Sequence, residues 1–270
     1  MIEVKNLRKS FDGVEVLKGI NTTFETGKVN LIIGQSGSGK TVFLKSLLNV
    51  FEPNEGHILF DGRDIVGMGR AEKEALRSEI GTVFQGSALF DSMTVQDNIM
   101  FPLDMFTNLT FTEKKKRVKE VIGRVHLENA EKKFPSEISG GMQKRVAIAR
   151  AIVNNPKYLF CDEPNSGLDP FTSNIIDDLI AEITEEYNTT TIINSHDMNS
   201  VMTIGEKIVY LRKGIKEWEG TKDILITSDN KYLIDFVYSS ELFKELREYL
   251  ISNNKTSIVN ITTKLEDESN

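Results

Sequence analysis

The chain has 270 residues, of which 39% are hydrophobic and 27% are charged, and its formal net charge at pH 7 is −7. This composition is typical of a globular protein with a sizeable core. No stretch of 18 or more apolar residues occurs, which excludes a membrane-spanning helix, and the acidic balance argues against a general nucleic-acid binder. The single cysteine, Cys161, lies in an apolar run and predicts a buried thiol in a reducing compartment.

The first 33 residues predict strands. Apolar and polar residues alternate on both sides of the turn Asp12-Gly13, which is typical of a hairpin. The N-terminal segment lacks the apolar core of a signal peptide, so we expect no secretion signal. Val29 to Ile33 is a short apolar run with β-branched residues, which indicates a buried parallel strand.

Residues 34–41 match the phosphate-binding pattern Gly-x-x-x-x-Gly-Lys-[Ser/Thr]. The predicted strand precedes them, and Thr41 to Leu48 has helical spacing. This order aims backbone N–H groups and a helix N-terminus at one anion. Lys40 would reach the β- and γ-phosphates of a nucleotide, and the Thr41 hydroxyl would ligate Mg²⁺. The expected phosphate contacts are Gly34, Gln35, Ser36, Gly37, Ser38, Gly39, Lys40 and Thr41.

The next segment predicts a strand at His57 to Phe60, a short helix or loop over about 63–80, and a strand at Gly81 to Phe84. Residues from about 88 to 154 then change character. They predict two helices, and we interpret them as a helical insertion. The first helix runs from Thr112, a candidate N-cap, to Val125, and the second from Gly140 to Val153.

Strands return after residue 157. Tyr158 to Cys161 and Thr190 to Ile193 read as buried strands, and residues 208–219 read as a hairpin. Strands that alternate with helices, with polar residues at their carboxyl ends, predict an α/β fold with a mainly parallel core sheet.

The segment after about residue 221 has a weaker pattern. Glu241 to Ile251 carries Leu242, Leu246 and Tyr249 at helical spacing. Two alternatives stay open for that helix, which are packing on its own domain and contact with another subunit. Ser252 to Asn270 is polar and ends acidic, so we expect it to be mobile.

Two further stretches carry chemistry. Asp162 and Glu163 follow an apolar strand, where Asp162 could hold the Mg²⁺ shell and Glu163 could polarise a water in line with the γ-phosphate. Ser139, Gly140 and Gly141 open a helix and form a second candidate anion site. Since one nucleotide cannot easily use both helix starts from one subunit, the second suggests a nucleotide held by another copy.

With these features the chain resembles the ATP-binding subunit of ABC transporters over residues 1 to about 221. The resemblance implies a P-loop NTPase with an antiparallel β subdomain, a mainly parallel core sheet and an inserted helical subdomain at about 88–154. Residues 222–270 would form a C-terminal extension. The matching positions are Phe11 (adenine stacking), Gln85, the signature Ile138 to Met142, Leu159 to Glu163, the D-loop Ser166 to Asp169, and His196 (the switch histidine).

The resemblance implies ATP and Mg²⁺ as cofactors and a second copy of the chain as a partner. Glu163, His196 and Lys40 would be catalytic, while Thr41, Gln85 and, through water, Asp162 would hold Mg²⁺. Ser139, Gly140, Gly141 and Asp169 would contact ATP bound to the other copy. An integral membrane permease would be a further partner, nucleic acid would not, and the chain would lie on the cytoplasmic face of a bacterial inner membrane.

The departures from the family pattern are small. Phe11 stands in place of the more usual tyrosine, and Ile138 and Met142 replace leucine and glutamine in the signature. Asn165 stands where threonine is common after Glu-Pro, and the sequence alone gives no interpretation of this change.

One stretch resembles the ATPases of Mla/Mce-type lipid transporters more specifically. The similarity lies in Ser87 to Val95, in Phe101 to Leu103 and in Met142. It implies phospholipid transport between inner and outer membranes, with an Mce-domain lipid-binding protein and a small regulatory subunit as partners. Phe90, Met93 and Phe101 could form an apolar socket for the permease.

Two alternatives remain. The chain could serve an amino-acid importer or a lipoprotein-release system of the same family. A soluble ABC ATPase without a transport role is more remote, because such chains usually carry two cassettes or a long coiled coil, and this one has neither.

Overall fold

The computed structural model describes residues 1–239, 241, 244–245, 247–249 and 251–252. Its strands are β1 (Ile2–Phe11), β2 (Val14–Phe24), β3 (Lys28–Ile33), β4 (Glu55–Phe60), β5 (Arg63–Asp64), β6 (Ile80–Val83), β7 (Tyr158–Asp162), β8 (Thr190–Asn194), β9 (Lys207–Arg212) and β10 (Ile215–Gly220).

Its helices are α1 (Lys40–Leu47), α2 (Arg70–Ser78), α3 (Val95–Phe106), α4 (Phe111–Arg124), α5 (Gly140–Ile152), α6 (Pro170–Tyr187), α7 (Met198–Ile204), α8 (Lys222–Thr227) and α9 (Lys231–Val237). A 3₁₀ turn at Pro135–Glu137 precedes α5. In the part of the chain that the structure describes, no helix combines the length and apolarity that crossing a bilayer requires.

The strands form two sheets. The first has the order β2-β1-β4-β5 and is antiparallel, while the second has the order β10-β9-β3-β8-β7-β6. In the second sheet β9, β3, β8, β7 and β6 are parallel, and β10 joins the edge as an antiparallel hairpin with β9. The predicted fold class, with an antiparallel sheet, a mainly parallel core sheet and helices between strands, is confirmed.

Strand β7 shows how one sheet serves two cores. Leu159 and Cys161 contact the core formed with the helices α3 to α7, whereas Tyr158 and Phe160 contact the core formed with the first sheet and α1. All four side chains are fully buried. The alternation follows from the two-residue period of a strand, and a run buried on both faces reads as continuously apolar.

Asn30 is a buried polar side chain in the middle of β3. Its Nδ2 donates hydrogen bonds of 3.0 Å to the carbonyls of Glu25, Lys28 and Thr191, and its Oδ1 accepts one of 2.9 Å from Glu25 N–H. The residue is 0% exposed, so every one of these bonds replaces water that the site excludes. Asn30 therefore links β3, the strand that leads into residues 34–41, to its neighbour β8.

The helical block differs in detail from the sequence prediction. The predicted N-cap Thr112 is wrong, because α4 begins at Phe111 and Thr110 caps it. Thr110 Oγ1 accepts from Glu113 N–H, and Glu113 Oε2 accepts from Thr110 N–H at 2.7 Å, which completes a capping box. Helix α3 was not predicted, since Pro102 within it conceals the pattern.

Helix α6 was also missed. Asp169 caps it by accepting from Thr172 N–H at 3.0 Å, and Pro170 occupies its first position, which are both typical start signals. The predicted hairpin over residues 208–219 and the buried strands at 158 and 190 are confirmed.

The C-terminal segment contacts the rest of the chain through Arg247. Its guanidinium donates to the carbonyls of Ile226 at 3.1 Å and Ser228 at 2.9 Å. The predicted helix over 241–251 is helical at each residue that the structure describes there, but Leu242 and Leu246 lie outside the described residues, as does the stretch from 253 to 270. The choice between self-packing and a subunit contact stays a prediction.

We expect Asn30→Asp to lower the free energy of unfolding by at least about 2 kcal/mol, because a carboxylate cannot donate to the three carbonyls that Asn30 Nδ2 contacts. Denaturant unfolding followed by circular dichroism measures the change. Asn21→Asp is the matched control at an exposed position, where we expect a change within about 0.5 kcal/mol. Equal effects at the two positions would contradict the anchoring role of Asn30.

Candidate functional site

The loop between β3 and α1 is held in one tight conformation. Gly34 has φ 153°, and a Cβ on it would lie 2.3 Å from the Leu211 carbonyl oxygen, so no larger residue fits. Ser38 N–H donates to the Gln35 carbonyl at 3.1 Å, and the Ser38 carbonyl accepts from Gly214 N–H at 3.0 Å. The loop therefore curls around its own backbone at the start of α1.

Lys40 folds back into this loop. Its Nζ donates to the carbonyls of Gly34 at 2.7 Å and Gln35 at 3.3 Å, and the residue is 8% exposed. Burial lowers the pKa of Lys40, while the charges of Glu163 and Asp162 oppose that change. The ammonium group thus occupies the loop where a phosphate is expected, with carbonyl partners that it can exchange for an anion.

Glu163 is the best-defined side chain of the site. Its Oε1 lies 2.9 Å from His196 Nδ1, and its Oε2 accepts a hydrogen bond of 3.2 Å from Gln85 Nε2. Its backbone has φ 48°, an uncommon conformation for a residue with a side chain, and its N–H donates to the Asn194 carbonyl at 2.9 Å. The backbone and both carboxylate oxygens of Glu163 are therefore fixed.

Asp162 lies one residue earlier, at the end of β7. Its Oδ1 accepts a hydrogen bond of 2.7 Å from Asn194 Nδ2, which leaves Oδ2 for another partner. Lys144, on α5, donates from Nζ to the Gln85 carbonyl and so ties α5 to the loop after β6. Lys144 was not predicted as a site residue, although it lies two residues beyond the predicted signature.

A cavity of about 610 Å³ opens between these groups. Its lining includes most of the predicted phosphate loop together with Glu163 and His196, and it adds Val16, Val42 and Phe236, which were not predicted. Phe236 comes from α9 and stacks on Tyr210, with the ring centroids 5.3 Å apart. The weak sequence pattern after residue 221 did not indicate that Phe236 would line this cavity.

Several predicted residues lie outside that lining among the residues that the structure describes. Phe11, 36% exposed, packs edge-on against Phe51 with the ring centroids 5.2 Å apart. Ser139 caps α5 by accepting from Met142 N–H at 3.3 Å. Gly140, Gly141 and Asp169 likewise do not line the cavity. The adenine contact of Phe11 and the contacts to a second copy stay predictions.

The expected Mg²⁺ ligands suit that ion by their chemistry. The Thr41 hydroxyl, the Gln85 amide oxygen and the Asp162 carboxylate are hard oxygen donors, which Mg²⁺ prefers. Gln85 turns its Nε2 toward Glu163 and so keeps Oε1 available. The donor set therefore fits a Mg²⁺ ion that keeps several waters.

An apolar groove of about 250 Å³ lies apart from this cavity. Phe84, Phe90, Phe101, Pro102 and Met105 line it, and the rings of Phe90 and Phe101 lie 4.9 Å apart. Phe90 and Met105 are 40% and 60% exposed. Met93, predicted as part of an apolar socket, does not line the groove within the described structure.

The loop that carries Phe90 is fixed from two sides. Arg150 donates to the carbonyls of Ser87 and Ala88, both at 2.7 Å. Asn98 accepts from Phe90 N–H at 2.8 Å and donates to the Phe90 and Met93 carbonyls at 3.1 Å. The aromatic wall of the groove is therefore preformed.

Comparison with known proteins places these features in a family. The family model described as "ABC transporter" matches residues 17–166, which is more than half of the chain. The "Probable ribonucleotide transport ATP-binding protein mkl" of Mycobacterium tuberculosis (strain ATCC 25618 / H37Rv) is 39% identical over 236 residues, with 87% of this chain and 66% of that protein covered. The "Methionine import ATP-binding protein MetN 2" of Oceanobacillus iheyensis is 37% identical, covering 82% of this chain and 65% of that protein.

A solved structure gives the same assignment. The "Dimeric structure of a post-hydrolysis state of the ATP-binding cassette MJ0796 bound to ADP and Pi" matches with a TM-score of 0.75 and 32% identity, covering 82% of this chain and 98% of that one. The chain thus spans slightly less than two thirds of the length of the two curated relatives but nearly all of a solved cassette. The chain belongs to the ABC transporter family and has the fold of its ATP-binding cassette.

Proposed function

We propose that this chain is the ATP-hydrolysing subunit of an ABC transporter. The observation that carries the proposal is the fixed Glu163 carboxylate, held between Gln85 and His196 at the wall of the cavity that contains Lys40. A carboxylate held in one orientation beside a phosphate loop is suited to orient a water for attack on a γ-phosphate.

The other predicted site residues, which include several outside the cavity lining, would bind and orient ATP. The backbone N–H groups of residues 34–41 and the N-terminus of α1 would hold the phosphates, and Lys40 would exchange its loop carbonyls for phosphate oxygens. Thr41, Gln85 and Asp162 would hold Mg²⁺, which when bound neutralises phosphate charge. His196 would keep Glu163 in place, and Phe11 would stack on the adenine.

A second copy of the chain would complete each site. Ser139, Gly140, Gly141 and Asp169 lie outside the cavity of their own chain, and the N-terminus of α5, which Ser139 caps, would face an anion from elsewhere. The dimeric MJ0796 cassette bound to ADP and Pi supports this arrangement. ATP-driven closure of the two copies would change the conformation of a membrane permease, and hydrolysis would reopen the pair.

We propose phospholipids as the transported substrate, moved between inner and outer membranes by a complex of the Mla/Mce type. Ser87 to Val95, Phe101 to Leu103 and Met142 support this assignment through their resemblance to that group. The permease, an Mce-domain protein and a small regulatory subunit would be the partners. The chain would lie on the cytoplasmic face of a bacterial inner membrane, attached through the permease.

An importer is the second candidate. It is favoured by the 37% identity to the MetN 2 protein, whose name assigns it to methionine import.

Purification of the tagged chain from native membranes in mild detergent, followed by mass spectrometry of proteins and lipids, distinguishes the two candidate functions. A permease with an Mce-domain protein and phospholipid supports lipid transport, whereas a permease with a solute-binding protein supports import. The absence of any membrane partner would favour a soluble ATPase.

We expect Glu163→Gln to lower ATP hydrolysis at least about 100-fold while ATP binding persists, because glutamine is similar in shape to glutamate but cannot polarise water as a carboxylate does. The variant should accumulate as an ATP-bound dimer. Phosphate release and light scattering after size exclusion measure the two effects. Glu128→Gln, at an exposed position, is the control. A monomeric Glu163→Gln variant at saturating ATP would contradict the shared site.

The isolated chain should hydrolyse ATP slowly, at a rate per subunit that rises with protein concentration, because neither half-site is complete alone. A dilution series of the purified chain at saturating ATP measures this dependence. Concentration-independent, fast turnover per subunit would show that one copy suffices.

Phe90→Asp should release the permease and leave ATP binding intact, because a charge in the apolar groove disfavours an apolar partner and Phe90 lies outside the phosphate cavity. Co-purification with the permease and nucleotide affinity are the two measurements. Phe111→Asp is the matched control, since Phe111 is 63% exposed and does not line the groove. Retention of the permease by the Phe90 variant would contradict the docking role.

A further inference from the structure

Behind Glu163 and His196 lies a buried polar cluster, formed by Asn165, Asp177 and Ser200 together with Asp197. The exposed fractions of the first three are 8%, 2% and 1%. Asn165 is one of the residues that depart from the family pattern, and Asp177 lies on the buried face of α6, where isoleucines and two hydroxyl residues are its helix neighbours. Burial of a carboxylate costs free energy, and an apolar residue would suit this face better.

Asn165 Nδ2 is the centre of the cluster. It lies 2.9 Å from Ser200 Oγ, 3.4 Å from each carboxylate oxygen of Asp177 and 3.5 Å from Asp197 Oδ2. Ser200 also hydrogen-bonds Asp177. The amide of Asn165, just before the D-loop, thus donates toward groups from two other segments, which are helix α6 and the start of α7.

The charge state of Asp177 supports this geometry. Burial raises the pKa of Asp177 to about 6, the hydrogen bonds from Ser200 and Asn165 oppose that rise, and the charges of Asp197 and Asp178 add to it. Burial thus disfavours the ionised carboxylate, which depends on the hydrogen bonds from Ser200 and Asn165.

The chain positions of these residues connect them to the candidate site. Asn165 follows Glu163 by two residues, and Asp197 follows His196 directly. Asp197 also caps α7 by accepting from Asn199 N–H at 2.8 Å. Helix α6 begins at the D-loop residue Asp169, which caps it. The cluster therefore joins, in one small volume, the segments that carry Glu163, His196 and Asp169.

We infer that Asp177 and Asn165 are positioning residues, which hold the Glu163–Asp169 segment and the His196 segment in a fixed arrangement. The pair of Glu163 and His196 would then move together with the D-loop. This inference rests on the proposed ATPase function, because it assigns a purpose to that pair. It assigns a purpose to the only carboxylate among the buried residues of α6 that the structure describes, and it accounts for asparagine at position 165.

The decisive variant is Asp177→Leu, which has a similar shape and removes the acceptor. In the intact transporter complex we expect kcat for ATP hydrolysis to fall about tenfold while KM for ATP stays within about twofold, because the phosphate loop is not touched. Stability should change little or fall moderately, since the removal of a buried charge is offset by the loss of an acceptor for Asn165 and Ser200. Asp177→Asn retains one acceptor oxygen and should recover most of the kcat.

Thr184→Val is the matched control on the same helix. Thr184 is 1% exposed and donates to the Ile180 carbonyl and to Thr191 Oγ1, both at 2.7 Å, away from the cluster. We expect this variant to lower stability and to leave kcat unchanged. If the cluster had only a structural role, kcat would change in step with stability in both variants. That result would overturn the inference.

A measurement without turnover separates the inference from the proposed function. The chain has three histidines, so the imidazole resonances of His196 can be assigned in the full chain by comparison with His196→Ala. We expect Asp177→Leu to shift the His196 signals and to leave those of His57 and His126 in place. Asn165→Ala should produce the same shift, and it replaces Asp177→Leu in this test if that variant does not fold.

The outcomes distinguish the two claims. If the wild-type complex hydrolyses no ATP, the proposed function fails, and the His196 signals still decide the inference. Unchanged His196 signals in both variants overturn the positioning role, even if kcat falls. Shifted signals together with the loss of kcat at constant KM support it.

Discussion

The candidate site depends on the convergence of parallel strands at one edge of the core sheet. Gly34 follows β3 directly, Glu163 follows β7 directly, and Gln85 and His196 each lie two residues beyond the ends of β6 and β8. Because β3, β8, β7 and β6 are neighbours in that order, their carboxyl ends bring a phosphate loop, a carboxylate, an amide and an imidazole together. Residues far apart in the chain meet there without any direct covalent constraint.

This arrangement holds two features that each cost free energy of folding. Lys40 is buried in its loop, and Glu163 holds a left-handed backbone conformation that costs about 1–2 kcal/mol. Both persist because the surrounding hydrogen bonds determine their positions: the Gly34 carbonyl for Lys40, and the Asn194 carbonyl for Glu163. Strained residues held by rigid neighbours are common at functional sites. Here the neighbours of Glu163 hold its carboxylate in one position.

The cavity at the phosphate loop and the apolar groove differ in chemistry, as their proposed partners do. The phosphate cavity combines glycine backbone, Lys40 and Glu163, whereas the groove presents aromatic rings and methionine, with polar residues such as Arg150 at its side. Lys144 links them, since it lies on α5 with the groove-lining Arg150 and donates to the Gln85 carbonyl. Helix α5 therefore contacts both the groove and the loop that carries Gln85.

The sequence by itself determined the local chemistry of this protein. The glycines and Lys40 define the phosphate loop because few backbones can wrap an anion, and an apolar run before Asp162 and Glu163 defines a buried strand end. Only the tertiary structure decided which groups meet. It placed Phe236 of the C-terminal segment in the cavity lining, left Phe11 packed on Phe51, and gave Asn165 its partners Asp177 and Ser200. These contacts join residues with no shared local pattern, so they depend on how helices pack on the sheet and cannot be read from spacing along the chain.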